Sequence, residues 1–192
     1  MGLNLYKSFS EESLVEGCRR KNERAQRTFY EKFSPQMYPL CLRYLREVNA
    51  AEDVMISGFM KAFDKIHTYS GKGSLGAWVR RIMINQALEY LRKNRTMHLQ
   101  LNVENVDYHP ELSYAPEHLE AEDLMDMVCR LPLGYRTVFN LYAIEGYSHK
   151  EIGELLDISE NTSKSQLSRA RALLQKILLE EKKSIIPKVP NQ

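Results

Sequence analysis

Residues able to do covalent chemistry are present in this sequence, but never at working spacing. Five histidines, His67, His98, His109, His118 and His149, are scattered along the chain. Cys18, Cys41 and Cys129 lie far apart in apolar surroundings, with no C-x-x-C pair and no histidine at ligand spacing. Neither a zinc site nor a disulfide framework is expected from them. An acidic run, Glu117, Glu120, Glu122, Asp123 and Asp126, offers paired carboxylates for acid–base work. Carboxylates at a helix start are stabilised by the helix dipole, and the run is read that way. Residues 71–76, GKGSLG, match G-x-G-x-x-G, yet no strand pattern precedes them and no βαβ unit follows, so they read as a loop. The chain is therefore expected to be no enzyme and to hold no metal or cofactor. Its chemistry is that of binding.

Two segments carry groups suited to nucleic acid. Residues 75–95 combine Trp78, Arg80, Arg81, Asn85, Gln86, Arg92, Lys93 and Arg95, and the loop before them holds Tyr69. Single strands are gripped by cations along the backbone and by aromatic faces or pockets for unstacked bases. Trp78 falls on the apolar stripe and reads as core, whereas the arginines read as a functional face. The second segment is 147–171, YSHKEIGELLDISENTSKSQLSRAR. Ser148 and Glu151 make a capping box. Ile152, Leu155 and Leu156 face inward, Ile158 fills a tight turn, and Ser159 caps the next helix. There Leu167, Ala170, Leu174 and Ile177 face inward, leaving Asn161, Thr162, Lys164, Ser165, Ser168 and Arg169 toward solvent. That division suits a helix-turn-helix whose second helix reads base edges in the major groove. The acids Glu151, Glu154, Asp157 and Glu160 sit close to where phosphates would lie.

The elements that carry these groups all have a helical period. Helices are expected over 11–33, from Ser34-Pro35 onward with a bend at Pro39, from Asn49 with Glu52 as capping partner, over 75–92, and over 135–145, 148–156 and 160–180. In the helix starting at Asn49 the apolar positions are Val54, Ile56, Phe59, Met60, Phe63 and Ile66. Residues 67–74 form a loop. Residues 97–116 are polar and irregular, and Pro116 with Glu117 opens the second helical block. The fold class is thus all-α: two small helical domains, 1–96 and 117–192, joined by a flexible linker, 97–116. A tether of that length reaches up to roughly 65 Å when extended. The 192-residue chain has a net charge of +2, so charge placement matters more than total charge. No apolar run suits a signal peptide or approaches the ~18 residues of a membrane span. A cytoplasmic protein without membrane insertion is expected.

With these segments in place a family resemblance is visible. AEDVMISGFMKAFDKI, a short loop and GAWVRRIMINQALEYLRK resemble the second region of extracytoplasmic-function sigma factors of the sigma-70 family. LPLGYRTVFNLYAIEGYSHKEIGELLDISENTSKSQLSRARALL resembles their fourth region. The resemblance implies an alternative sigma factor that binds core RNA polymerase and starts transcription. It implies docking on the polymerase clamp through Glu52 and Asp53, and contact of the second domain with the flap. It implies capture of flipped −10 bases by the loop with Tyr69, Ser70, Gly71, Lys72 and Ser74 and by Asn85, with Arg80 and Arg81 on nearby phosphates. It implies reading of the −35 element by Thr162, Lys164, Ser165, Ser168 and Arg169, and restraint by an anti-sigma factor. The sequence departs from the family pattern at Ile56-Ser57, at Ser163 and at Gln166, where an arginine is common; fewer cations imply weaker phosphate binding. Two other readings stay open: a helix-turn-helix regulator acting without polymerase, and a sigma-like antagonist.

Overall fold

The computed structural model describes residues 10–94 and 121–185, all helical or loop, with no strand among them. The expected linker, His98, His109, His118, Arg95, the Pro116–Glu117 helix start and the side chains of Glu120, Glu122 and Asp123 lie outside the described residues. The chain divides into two compact units, Met1–Tyr90 and Leu91–Gln192.

The first unit begins with α1 (Glu11–Arg19), α2 (Glu23–Leu45) and α3 (Val48–Lys65). A 3-10 turn (Ile66–Thr68) and a loop lead to α4 (Leu75–Lys93). The single helix expected over 11–33 is broken: Lys21 adopts φ 55°, and the Asn22 side chain accepts from Ala25 N at 3.0 Å to start α2. An asparagine that caps outcompetes continuation, because it satisfies a donor that the new helix leaves open. Conversely, Ser34-Pro35 starts nothing. α2 runs through both Pro35 and Pro39. Both prolines are exposed, so the rings sit where bulk meets no neighbour and the carbonyls they leave unbonded can reach water. α3 starts one residue before Asn49. Its cap is Glu47, whose carboxylate accepts from Asn49 N at 2.9 Å and Ala50 N at 2.6 Å.

Phe29 anchors this core. It is fully buried, and its ring lies 4.9 Å from Phe33, 6.3 Å from Phe59 and 5.4 Å from Phe63. Gly58 lets α4 approach α3, since a Cβ there would collide with the flexible Met83 thioether. Ile56 and Met60, two of the apolar positions of this helix, are 54% and 60% exposed. The inward stripe of α3 runs through Ala51, Val54, Met55, Phe59 and Ala62, and Ile56 and Met60 fall outside it. Cys18 and Cys41 are buried, and burial pushes their thiols up to about 11 and about 12. The thiolate is the reactive form. Native protein at about pH 8 should thus leave both unalkylated, with half-buried Cys129 reacting first, as peptide mass mapping would show.

The second unit holds α5 (Ala121–Arg130), α6 (Leu133–Phe139), a π-helical turn (Asn140–Ile144), α7 (His149–Leu156) and α8 (Glu160–Ile185). The helix expected over 135–145 is therefore two pieces, with Glu145 N bonded five residues back to Asn140 O at 3.0 Å. Met127, Val128, Leu131, Ala170 and Leu174 form the core. Arg136 is buried, and its Nη1 donates to Cys129 O and Leu131 O, both at 3.2 Å. A cation there satisfies the carbonyl end of α5.

Candidate nucleic-acid interface

In the second unit the capping box is formed: Ser148 Oγ accepts from Glu151 N at 3.3 Å, and the Glu151 carboxylate accepts from Ser148 N at 2.8 Å. Asp157, in the left-handed region at φ 56°, ends α7. Ile158 N then donates to Gly153 O at 3.0 Å. Ser159 caps α8, its Oγ accepting from Thr162 N at 3.0 Å. The turn is tight enough that a Cβ on Gly153 would stand 2.8 Å from Ile158 O. This is the helix-turn-helix geometry, with α8 in the recognition position.

The exposed arc of α8 carries the groups read from the sequence. Asn161, Lys164, Ser165 and Ser168 are exposed, and Thr162 and Arg169 are half-buried at its margin. Ser163 and Gln166 instead point inward, at 0% and 2% exposure. The expectation that Gln166 weakens phosphate binding is therefore corrected: this position packs inside the unit and presents no group to DNA. Two of the nearby acids are also occupied. Glu151 serves the capping box, and Glu160 pairs with Lys164 at 2.7 Å. The bond from Lys164 holds the Glu160 carboxyl below its usual range.

In the first unit the loop between the 3-10 turn and α4 is braced from two sides. Arg19 Nη2 donates to Tyr69 O at 2.8 Å, and Leu75 N donates to Glu11 Oε1 at 3.2 Å. Neither Arg19 nor Glu11 was found by sequence reasoning, because they act across 50 and 64 positions of chain and no local pattern marks such a contact. Tyr69, expected to help capture bases, is buried. Its hydroxyl donates to Gly73 O at 2.8 Å and its ring lies 5.7 Å from Trp78. It shapes the loop from below and offers no free face for stacking. Ser70, Gly71, Lys72 and Ser74 are exposed, and Gly71 and Gly73 hold φ of 76° and 81°, where glycine fits without strain. Ser74 has a second duty: its Oγ accepts from Ala77 N at 3.1 Å and caps α4. A cleft of about 470 Å³ opens between α1 and this loop, lined by Glu11, Glu12, Arg19, Ser70 and Gly71.

Along α4, half-buried Trp78, exposed Arg81 and exposed Asn85 lie at i, i+3 and i+7, on one stripe. Arg80 is half-buried and points about 100° away from Arg81. The two arginines expected to work together thus occupy different faces. On α3, Glu52 and Asp53 are exposed, and Glu52, Ile56 and Met60 form an outward stripe at four-residue spacing.

Comparison with known proteins matches both units. Residues 29–96 match the family profile "Sigma-70 region 2" and residues 121–174 match "Sigma-70, region 4", together more than half of the chain. The chain is similar to the ECF RNA polymerase sigma factor SigW of Bacillus subtilis, 29% identical and covering 76% of this chain and 84% of that one. It is also similar to the ECF RNA polymerase sigma-E factor of Haemophilus influenzae, at 26% identity, 86% of this chain and 94% of that one. Among solved structures it resembles the sigma factor RpoE of Bartonella quintana, determined in complex with the anti-sigma factor NepR. There the identity is 25% and the TM-score 0.50, covering 80% of this chain and 96% of that one.

Proposed function

This chain belongs to the sigma-70 family, in its extracytoplasmic-function group, and on that premise we propose how its two units divide the work of an alternative sigma factor. The factor associates with core RNA polymerase and directs transcription initiation. It works by binding alone and catalyses no reaction. The observation that carries this reading is that one chain holds two recognition devices of different kinds. The helix-turn-helix of the second unit suits intact duplex. The braced glycine loop, with Arg81 and Asn85 on one stripe of the helix that follows it, suits unpaired bases.

In this reading Thr162, Lys164, Ser165, Ser168 and Arg169 read the −35 element. Ser70, Gly71, Lys72 and Ser74 with Asn85 take flipped −10 bases, while Arg80 and Arg81 hold phosphates on separate faces of α4. Capturing an unstacked base offsets the few kcal/mol that unpairing costs. Glu52 and Asp53 dock on the polymerase clamp, and the exposed Ile56 and Met60 add an apolar strip to that acidic surface. The second unit meets the flap. No described helix is long and apolar enough to cross a membrane, and we place the factor in the cytoplasm under a protein antagonist, as its RpoE relative is bound by NepR.

In-vitro transcription with purified core polymerase on fragmented DNA from the source organism tests the reading. Discrete start sites that depend on the protein are the expected result. Co-purification with polymerase without new transcripts would replace it with the antagonist reading. Neither transcripts nor co-purification would leave a regulator that acts on duplex alone.

A further inference from the structure

α1 holds both ends of the exposed glycine loop. The guanidinium of Arg19, its last residue, donates to Tyr69 O, where the loop begins, at 2.8 Å. The carboxylate of Glu11, its first residue, accepts from Leu75 N, where the loop ends and α4 starts, at 3.2 Å. Both bonds join a charged group to a peptide group, which makes them roughly twice as strong as neutral ones. The Glu11 carboxylate also meets the positive end of α4. The two residues close the ends of a nine-residue helix, about 12 Å apart along its axis.

The loop has little to hold it otherwise. Ser70, Gly71, Lys72, Gly73 and Ser74 are all exposed, and two glycines leave a free backbone many conformations. The Tyr69 hydroxyl closes the loop on Gly73 O, and Ser74 caps α4. Between those ties stand only the side chains of Ser70 and Lys72. α1, by contrast, is firmly seated. Leu14, Val15 and Cys18 are buried. Gly17 brings the helix so close to α2 that a Cβ there would stand 2.5 Å from Ala25 Cβ. Glu16 steadies the Arg19 guanidinium at 3.7 Å. The cleft of about 470 Å³ has α1 as one wall and the loop as the other, so the two bonds set its width. α1 also precedes residue 29, where the match to the region 2 profile begins. The brace is thus a feature of this chain outside the stretch that the profile matches.

We propose that Arg19 and Glu11 are positioning residues for promoter opening: they hold the loop in the shape that accepts an unpaired −10 base, and so set which base it prefers. The proposal rests on the reading of the loop as the taker of flipped bases. Neither residue touches DNA. A loop already in its bound shape loses no binding free energy to ordering. Discrimination between bases needs donors and acceptors at fixed positions, whereas a mobile surface repacks around any partner. Loss of the brace therefore costs selectivity. Loss of a phosphate contact would instead weaken every base alike. The −10 preference is in this way shared between the loop and a helix fifty positions before it, and the same loop set on a different α1 would choose differently.

Holoenzyme assembled from core polymerase and the full chain tests this. Its ligands are bubble duplexes, built on a promoter from which the factor initiates, with each of the four bases in turn at each unpaired non-template position. Arg19→Ala should reduce the affinity ratio between the best and the worst base by about fivefold or more. It should leave the slope of log affinity against log salt unchanged, because a guanidinium engaged on a carbonyl neutralises no phosphate. Arg19→Lys should restore much of the ratio, since an ammonium still donates to Tyr69 O. Glu11→Ala should act like Arg19→Ala, whereas Glu11→Gln keeps an acceptor for Leu75 N and should retain the preference. Partial unfolding lowers binding of all four bases together and does not mimic a changed ratio. If the parent chain shows a preference and Arg19→Ala leaves the ratio intact, whatever happens to overall affinity, the brace is overturned. A salt slope reduced by about 1 would also overturn it and make Arg19 a phosphate contact. If the parent chain shows no preference at any unpaired position, the base-capture reading of the loop fails, and the brace with it.

Discussion

Gly153→Ala is expected to lower the melting temperature of the second unit and abolish duplex binding, while residues 10–94 stay folded. The substitution has two opposing effects. Alanine inside a helix is favoured over glycine by about 1 kcal/mol. Against this, the new Cβ would lie 2.8 Å from Ile158 O, a backbone atom that no rotamer change can move. Overpacking of this kind costs about 1–3 kcal/mol. Relief would require opening the turn. That sacrifices the Ile158 N to Gly153 O bond and disturbs the Ser159 cap, each worth about 1 kcal/mol. The clash and its consequences win, and a net loss of about 2 kcal/mol is a large share of what a small helical unit has. Hydrogen exchange followed by peptide, beside a thermal melt, would separate the units. A melting temperature equal to or above that of the parent would show that the turn can widen freely.

How far the sequence alone reaches is seen at this same turn. The capping box at Ser148 and Glu151, the cap at Ser159 and the inward set Ile152, Leu156, Leu167 and Ala170 all have local signatures, and all stand where the spacing puts them. The failures are equally physical. Ser34-Pro35 predicts a helix boundary, but an exposed proline only deletes bonds that water can replace. Ile56 and Met60 count among the apolar positions of their helix. Apolar type does not fix direction, and the helix turned them outward. The Asn22 cap leaves no mark in the sequence, because a break between two helices of similar pattern leaves no gap in the hydrophobic period.

At the site, residue types were legible and contacts were not. The loop and the arginine-bearing helix could be picked out from composition, yet Tyr69 was read as a stacking face when its hydroxyl ties it to Gly73 O. Arg19 and Glu11, which brace that loop, are far away in sequence and belong to a helix whose own pattern is ordinary. Gln166 looks like a loss from a DNA surface until its burial shows which way it points.

Asn85→Ala should separate the two recognition devices. Asn85 is exposed on α4, on the stripe that carries Trp78 and Arg81 and away from the packed faces, so its truncation should leave the melt of the first unit unchanged. An amide can donate to and accept from the edge of an unpaired base, and losing such a contact costs about 1–3 kcal/mol. Open-complex formation with core polymerase, followed by permanganate reactivity of unpaired thymines, should therefore fall about tenfold or more. Binding of the free factor to duplex should not change, because that belongs to α8. If duplex binding falls in parallel, Asn85 touches paired DNA, and the first unit is a second duplex reader. If neither measure moves, base capture rests on the loop alone, on Ser70, Gly71 and Lys72. Arg81→Ala gives the matching comparison. A guanidinium on a phosphate contributes to affinity whatever the base, so its loss should weaken all promoters alike and reduce the salt slope by about 1. The Asn85 defect should instead vary with the identity of the captured base. That contrast distinguishes recognition from adhesion on a single helix.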